Sequence, residues 1–174
     1  MVITHVSQIG SSVIRTKTKS VVSVNAKTKT TIKNLVDTMR ATGLVGMAAP
    51  QIGSSQRVFV TEIRPTATRK KHRQLDQLRI FINPRVVKLS KQQSSGYEGC
   101  GSVAHAQLFG KVNRTRSVII RAMNEKGKVV TLAADGLLAR VIQHEMDHLN
   151  GKVFLDRMVT MLSLIDREHY LEQS

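Results

Sequence analysis

Cysteine, proline and aromatic residues are scarce in this chain. Its 174 residues include one cysteine, three prolines, no tryptophan and 3% aromatic residues in all. A single cysteine excludes an intrachain disulfide, and few aromatic side chains are available to stack on nucleic-acid bases. The core must therefore be built from Val, Ile, Leu, Met and Ala, within an ordinary hydrophobic fraction of 41%.

Long apolar runs are also missing. No run approaches the roughly 20 residues that a membrane helix needs. The first residues lack the charged and apolar regions of a secretory signal. These absences predict a cytoplasmic protein without a membrane partner. The length suits one domain with a real core and is too short for two ordinary ones, so residues 1–174 are predicted to form a single domain.

Acidic residues are outnumbered by basic ones. Twelve Asp and Glu stand against 27 Lys and Arg, which gives a formal net charge of +15. Such an excess favours contact with an acidic partner such as the ribosome. Because the basic residues are dispersed and lack aromatic neighbours, we interpret most of them as a solvated surface with no specific nucleic-acid partner. The cluster Arg69-Lys70-Lys71-His72-Arg73 is the one basic patch that merits a test.

The segment Gln143-His144-Glu145-Met146-Asp147-His148 carries the strongest functional pattern. On a helix, His144 and His148 lie on one face about 5–6 Å apart, so both imidazoles can bind one metal ion. Glu145 lies about 100° around the helix from His144, which suits a general base that activates water near the metal. The pattern is typical of a metallohydrolase helix and predicts that the domain is catalytic.

Two histidines beside an acid also occur by chance, and an amphipathic helix with partly buried histidines is the alternative. Three features favour the metal site. The run 137–142, which is apolar except for Arg140, leads into the motif and indicates a buried helix, and Asn150-Gly151 supplies a helix stop. Cys100, set between glycines, is a third ligand that leaves the fourth tetrahedral position for water. A thiolate with two imidazoles suits Zn²⁺ or Fe²⁺.

A stretch rich in small residues, 43–53, surrounds one amide side chain. A glycine pattern of this kind, taken alone, more often marks a loop than a site. Its value here lies in Gln51, whose NH₂ group is suited to donate to a developing oxyanion.

The remaining pattern predicts an α+β fold, with mostly antiparallel strands around the buried metal-binding helix, an N-terminal helix and a C-terminal helix. We expect the N-terminal helix at roughly 31–42, with Thr30 or Thr31 as its cap and Gly43 as its end. The segment 1–24 is predicted to be extended. Predicted strands are 57–63, 80–82, 86–87, 116–123 and 128–133, and a last amphipathic helix is predicted over 158–172.

Three segments together resemble the peptide deformylase family. Its motifs Gly-Φ-Gly-Φ-Ala-Ala-x-Gln, Glu-Gly-Cys-Φ-Ser and Gln-His-Glu-x-Asp-His, where Φ is apolar, match residues 44–51, 98–102 and 143–148 in the same order. The segments 81–84 and 134–139 are also similar to the family. The resemblance extends over roughly residues 6–165, which is nearly the whole chain.

The resemblance implies a hydrolase that removes the N-formyl group from the initiator methionine of nascent polypeptides and releases formate. It implies one divalent metal ion, natively Fe²⁺ and replaceable by Zn²⁺, Ni²⁺ or Co²⁺, bound by Cys100, His144 and His148. Glu145 would move the proton. Gln51 and the backbone N–H of Gly101 would stabilise the oxyanion.

Substrate contacts follow from the same resemblance. The N-formyl-methionyl peptide would align as an added strand along the backbone of Val45, Gly46 and Gly99. Leu137 and Val141, spaced with His144 at i, i+4 and i+7, would line the methionine pocket together with Val45. Arg140 departs from the family, which has an apolar residue at this helix position near the pocket rim. Its charge would favour acidic residues after the methionine, or its side chain would point to solvent.

Two positions depart from the family motifs. Leu44 stands where the first motif begins with glycine, and Gly101 stands where the second motif has a bulky apolar residue. Because the metal, base and oxyanion residues are intact, we predict an active enzyme with altered rate or substrate preference. Around the ligands, Glu98 and Asp147 are predicted to orient the histidines, with Arg114 as their counter-charge.

Two other functions remain open on sequence grounds. A metalloprotease could use the same helix with Glu168 or His169 as its third ligand. A basic RNA-binding or ribosome-binding protein could retain an inactive scaffold of this family, and only the charge of +15 supports that hypothesis.

Overall fold

The computed structural model describes residues 3–68 and 74–173. The basic cluster 69–73 lies outside the described residues. The helices are α1 (Ser12–Arg15), α2 (Ala26–Ala41), α3 (Gly136–Leu149) and α4 (Arg167–Glu172). The strands are β1 (Gly46–Ala48), β2 (Val58–Ile63), β3 (Asp76–Leu89), β4 (Gln93–Gly99), β5 (Leu108–Thr115), β6 (Ser117–Met123), β7 (Val129–Asp135) and β8 (Ile165–Asp166). None of the helices within the described ranges is long and apolar enough to cross a membrane.

Two antiparallel sheets flank the buried helix. The larger sheet has the strand order β1-β2-β3-β6-β7, and the smaller sheet has the order β4-β5-β8. α3 contacts strands of both sheets. Its side chains Leu138 and Ile142 join Phe59 and Phe81 of the larger sheet in the main core. The predicted α+β architecture around a buried helix is therefore confirmed.

The bounds of α3 agree with the prediction. Its apolar residues recur with helical spacing, and the chain leaves the helix at Asn150-Gly151, where Gly151 has a φ of 73°. A Cβ atom on Gly151 would overlap the backbone carbonyl of Arg15. Glycine is thus needed there both for the left-handed turn and for the close approach of α1.

α2 begins at Ala26, earlier than the predicted start near residue 31. The cap is Asn25 and not Thr30 or Thr31, because the Asn25 side chain accepts a hydrogen bond from the Thr28 N–H at 3.1 Å. Apart from Ala26, the first turn contains no apolar residue from which the periodicity could be extended. The predicted end is correct, since Gly43 has a φ of 69° and follows the last turn.

β3 is one long strand, whereas the sequence predicted two short strands broken at Asn83-Pro84. The break is a bulge, with a register shift between Ile82 and Arg85 and a φ of 51° at Asn83. The Asn83 side chain stabilises the bulge, because it bonds both the N–H and the carbonyl of Val21, at 2.8 and 2.7 Å.

The predicted helix over 158–172 is wrong for most of its length. The segment contains a 3₁₀ turn at Met161–Ser163, then β8, and only the last six residues form α4. Ile165 pairs with Phe109 as a strand residue, and Met158 bridges to Val112. Pairing with β5 therefore overrides the helical periodicity of these apolar residues.

Besides β8, three strands and one short helix were not predicted. β1 and β4 border the site, β5 pairs with β4, and α1 interrupts the segment that the sequence predicted to be extended. β4 reads Gln-Ser-Ser-Gly-Tyr-Glu-Gly, without the alternation of apolar and polar residues by which strands are recognised.

Candidate metal centre and peptide cleft

Cys100 and two histidines of α3 converge where the two sheets meet. One ligand atom from each of Cys100, His144 and His148 can be chosen so that all lie within 4.8 Å of one another. The distance between Cys100 Sγ and His148 Nε2 is 3.1 Å, and all three side chains are buried. A thiolate with two imidazoles fits a Zn²⁺ or Fe²⁺ ion and is too soft a ligand set for Mg²⁺ or Ca²⁺.

The surroundings of the two histidines suit a cation. His144 Nδ1 lies 2.9 Å from Glu98 Oε2, which leaves Nε2 for a metal. Burial lowers the pKa of His144, but its hydrogen bonds with Cys100 and Glu98 raise that pKa well above the usual range. Burial lowers the pKa of His148, and this favours the neutral ring that a metal ligand requires.

A buried cluster of charges fixes Glu98. Arg114 donates from Nε and Nη2 to the two carboxylate oxygens of Glu98, at 3.0 and 2.9 Å. Its Nη1 donates to Asp147 at 2.6 Å, and Arg157 adds a second cation to Asp147 at 2.8 Å. Burial raises the pKa of Glu98, but bonds from His144 and Arg114 outweigh burial and lower it below its usual range. The Arg114 counter-charge expected from the sequence is thus present.

The Arg140 guanidinium is hydrogen-bonded to acceptors within the protein. Its Nη1 donates to Glu98 Oε1 at 2.8 Å and to the Val112 carbonyl at 3.0 Å. Its Nη2 donates to the Ser94 carbonyl at 2.7 Å. The side chain is 12% exposed and links α3 to β4 and β5. Arg140 borders the cavity beside the three ligands. These acceptors already occupy its guanidinium, which argues against a direct role in attracting acidic substrates.

Glu145 lies beside the ligands with one oxygen unpaired. The residue is 3% exposed, and Oε2 has no hydrogen-bond partner within the described residues. Burial raises the pKa of Glu145 to about 7, against an opposing effect of His144. A bound dication would lower this pKa again. A Cβ atom on Gly46 would lie 2.5 Å from Glu145 Oε1, so glycine in β1 permits the approach of the carboxylate.

The amide of Gln51 has a fixed orientation. Gln51 Oε1 accepts from the Ala48 N–H at 2.8 Å, which turns Nε2 toward Cys100 Sγ at 3.7 Å. A preorganised N–H donor beside the ligands is what oxyanion stabilisation requires. Gly101 follows Cys100 directly, and its carbonyl accepts from Gln8 Nε2 at 2.8 Å, which holds this turn in place.

Cys100, His144, Glu145, Gln51 and Gly101 border one cavity, here called the metal cavity. β1 and β4 are end strands of their sheets and bring Gly46 and Gly99 to its border. All substrate residues expected from the sequence are among its lining, which consists of Leu44, Val45, Gly46, Gln51, Glu98, Gly99, Cys100, Gly101, Leu137, Arg140, Val141, His144 and Glu145. An extended peptide can therefore lie beside two strand edges and reach the ligands.

Two structural details could not be predicted from the sequence. Arg157, which bonds Asp147, lies just before the helix predicted over 158–172, and the sequence gave no signal of this role. The inward position of Arg140 also requires the unpredicted β4. By contrast, Glu168 and His169 lie on the exposed helix α4, where His169 Nδ1 contacts Asp166 at 2.8 Å. The metalloprotease alternative thus loses its third ligand.

A buried carboxylate beside a Cys–His–His ligand set is the arrangement of a metal-dependent hydrolase. The polypeptide deformylase family model matches residues 3–163 of the chain. The peptide deformylase of Treponema pallidum (strain Nichols) is 39% identical over 150 residues, or 86% of this chain and 85% of that protein. The chain belongs to the peptide deformylase family, metal-dependent enzymes that remove the formyl group from nascent polypeptides.

Other relatives agree with this assignment. The peptide deformylase of Pseudothermotoga lettingae is 37% identical over 164 residues, or 94% of this chain and 88% of that protein. The crystal structure of the Thermotoga maritima peptide deformylase is similar with a TM-score of 0.81 and 30% identity, covering 92% of this chain and 100% of that one. A Met-Ala-Ser-bound class I type b peptide deformylase from Acinetobacter baumannii has a TM-score of 0.85 and 28% identity, covering 90% and 99%.

Proposed function

We propose that residues 1–174 form one catalytic domain that hydrolyses the formyl group of N-formyl-methionyl peptides. Cys100, His144 and His148 hold one divalent metal ion. When bound, the ion supplies Lewis acidity and makes a water molecule nucleophilic near neutral pH. The observation that carries the proposal is the convergence of three ligand atoms within 4.8 Å beside the unpaired Oε2 of Glu145.

Glu145 moves the proton in this mechanism. Its Oε2 accepts a proton from the attacking water and delivers it to the leaving amine nitrogen of methionine. The C–N bond of the formamide breaks, which yields formate and a free N-terminus. Burial holds the carboxylate close to the reaction and keeps bulk water away from it.

Gln51 and Gly101 stabilise the developing oxyanion. Gln51 Nε2 and the backbone N–H of Gly101 donate to the formyl oxygen as it gains negative charge. The bond from the Ala48 N–H to Gln51 Oε1 fixes the amide before substrate arrives, so little reorganisation is needed.

The peptide is held by strand pairing and by an apolar pocket. The backbone of Val45 and Gly46 on one side and of Gly99 on the other pairs with the extended substrate. Val45, Leu137 and Val141 contact the methionine side chain. Arg140 acts on this pocket through Glu98 and β4, whose atoms it bonds.

The native metal in this proposal is Fe²⁺. Thiolate and imidazole ligands accept Fe²⁺ and also Zn²⁺, Ni²⁺ and Co²⁺, so purified protein can carry any of these ions. Metal analysis of protein purified anaerobically tests this assignment. Excess Zn²⁺ over Fe²⁺ in such a preparation would contradict it.

The proposal places the enzyme in the cytoplasm, close to nascent polypeptides. The net charge of +15 supports a contact with the ribosome through the basic surface. Co-sedimentation with ribosomes that falls steeply with salt supports this contact. No co-sedimentation at low salt would contradict it.

The decisive experiment measures formate release from formyl-Met-Ala-Ser by Fe²⁺-loaded protein. Glu145→Gln should lower kcat by at least about a hundredfold, because the amide cannot accept the proton. Metal content should stay near that of the parent. Glu125→Gln, in the exposed turn between β6 and β7, is the matched control and should leave the rate unchanged.

Two results would overturn the proposal. The first is a Glu145→Gln variant as active as the parent. The second is a fully metal-loaded parent without turnover, and salt-dependent RNA binding by that protein would then favour the basic binding protein considered above.

A further inference from the structure

A second cavity adjoins the metal cavity. Its volume is about 350 Å³. Within the described residues it is bordered by the segment before β1, residues 67–68 after β2, the turn after β4, Phe109 of β5 and the start of α4. The linings of the two cavities share two residues, Leu44 and Gly99. Because Gly99 has no side chain, Leu44 supplies the side chain that is common to both linings within the described residues.

The Leu44 side chain also fills the space next to Gly101. A Cβ atom on Gly101 would lie 2.8 Å from Leu44 Cδ1 and 3.9 Å from Gln51 Nε2. The first distance is too short for two carbon atoms in contact. Gly101 does not have a positive φ, so the backbone there accepts any residue. A larger side chain at position 101 would therefore require the Leu44 methyl group to move.

Leu44 is held firmly in this position. Its N–H donates to the Met39 carbonyl at 3.0 Å, and its carbonyl accepts from Arg64 Nη2 at 3.0 Å. Its side chain packs against a buried cluster that includes Met39 and Met47. These contacts fix the backbone on both sides of the side chain, so the wall between the cavities is part of the packed structure.

Leu44 and Gly101 are the same two positions at which the chain departs from the family motifs. The motifs have glycine at the first position and a bulky apolar residue at the second. Here the sizes are exchanged, and the two residues are in contact. One bulky apolar side chain is thus retained at this point of the cleft, but it comes from the segment before β1 and not from the turn after Cys100.

We propose that Leu44 and Gly101 form a size-matched pair that separates the two cavities and selects the residue following the substrate methionine. The selection rests on the proposed function. A peptide that pairs between β1 and β4, with its formyl group near Cys100, passes Leu44 and Gly99 where the cavities meet. The Leu44 methyl groups then limit the size of the side chain that enters the second cavity.

A double-mutant cycle with Leu44→Gly, Gly101→Leu and the combined variant tests the pair. The substrates are formyl-Met-Ala-Ser and formyl-Met-Phe-Ser. In Leu44→Gly, the preference for the alanine peptide in kcat/KM should fall about tenfold, mainly through KM, because the opened wall admits the larger side chain. Gly101→Leu should lower kcat/KM for both peptides, since the new leucine overlaps Leu44 and crowds Gln51.

The combined variant is the informative one. If the two substitutions acted independently, their losses in kcat/KM would multiply. The kcat/KM of the combined variant should be about tenfold higher than that product, because each substitution relieves the defect of the other. If the losses in kcat/KM simply multiply, the proposal that Leu44 and Gly101 form a size-matched pair is wrong. An unchanged peptide preference in Leu44→Gly would overturn the selection of the following residue.

The midpoint of thermal unfolding, Tm, of the metal-free variants gives a second readout. Gly101→Leu should lower Tm less in the presence of Leu44→Gly than alone. Leu162→Gly, at a leucine that is 94% exposed, controls for the loss of a leucine and should not couple to Gly101→Leu. If the parent has no turnover, the proposed function fails, while the pair is still supported by coupled Tm values and overturned by additive ones.

Discussion

α3 and the C-terminal segment 158–172 have similar apolar spacing in the sequence and different structures. α3 is one continuous helix of 14 residues, nine of which are buried. The C-terminal segment divides into a turn, a strand and a helix of six residues, with Met161 and Leu162 exposed at 65% and 94%. Of these two segments, helical spacing yields a long helix only in the one that contacts both sheets.

The two regions also differ in how deeply their ion pairs are buried. In α3, Asp147 is 5% exposed and bonds both Arg114 and Arg157. At the start of α4, the pair formed by its cap Asp166 and His169 is exposed, with side-chain exposures of 54% and 65%. Buried charges are strongly destabilising when a partner is removed, while exposed pairs contribute little. The stability and the catalytic geometry should thus both depend on α3 and its ion pairs.

The largest effect is expected from Arg114→Met. The substitution leaves Glu98 and Asp147 buried without their shared cation, which should cost about 3–5 kcal/mol of unfolding free energy. Urea unfolding of the metal-free protein measures this loss. Arg157→Met removes a cation that is 43% exposed from the same Asp147 and should cost less than about 1 kcal/mol. Equal losses in both variants would show that burial of the ion pair is unimportant.

The next effect compares apolar residues of the two regions. Ile142 is fully buried in α3, and Ile142→Ala should cost about 2–5 kcal/mol because it leaves a cavity in the main core. Leu162→Ala, in the exposed turn, should change stability by no more than about 0.5 kcal/mol. Thermal unfolding of the two variants side by side tests the contrast, which a large loss from Leu162→Ala would contradict.

The same contrast explains how much of the fold could be predicted. α3 was predicted correctly because its periodicity, its ligand spacing and its Asn150-Gly151 stop all agree with its burial. The C-terminal helix was predicted from periodicity alone. Ile165 instead pairs with Phe109, and this long-range contact is not visible in the local sequence.

The candidate site shows a similar division. The ligands, Glu145 and Gln51 were predicted because their chemistry appears in short motifs. The acceptors of Arg140 were not, because Ser94 and Val112 lie on β4 and β5, which the sequence did not predict. The contact between Leu44 and Gly101 joins segments that are 57 residues apart in the chain, so each position appeared only as an isolated departure from a motif.

Two arginines that border the cavities should differ in a smaller effect, the preference for an acidic residue after methionine. Arg140, in α3, is bonded to Glu98 and Ser94, whereas Arg167, in α4, borders the second cavity. We expect Arg167→Met to lower the preference for formyl-Met-Asp-Ser over formyl-Met-Ala-Ser by about threefold, as for a partly exposed ion pair. Arg140→Met should leave that ratio unchanged while lowering Tm. The reverse pattern in kcat/KM would restore the acidic preference that the sequence assigned to Arg140.

The smallest effect is the pH dependence of α4. Hydrogen bonds from the His169 backbone and ring lower the pKa of Asp166, and the Asp166 carboxylate raises the pKa of His169. The Asp166 contribution is present above its unfolded pKa, about 3.9, and is lost as the pH falls through its lowered folded value. The His169 contribution is present below its unfolded pKa, about 6.5, and is lost as the pH rises through its raised folded value. Amide hydrogen exchange at 167–172, corrected for intrinsic rates, should therefore be slowest between about pH 4 and 6.5, and the optimum should disappear in His169→Gln.

The global Tm should not follow this local change, because the pair is exposed. A matching shift of Tm with pH would mean that α4 unfolds together with α3.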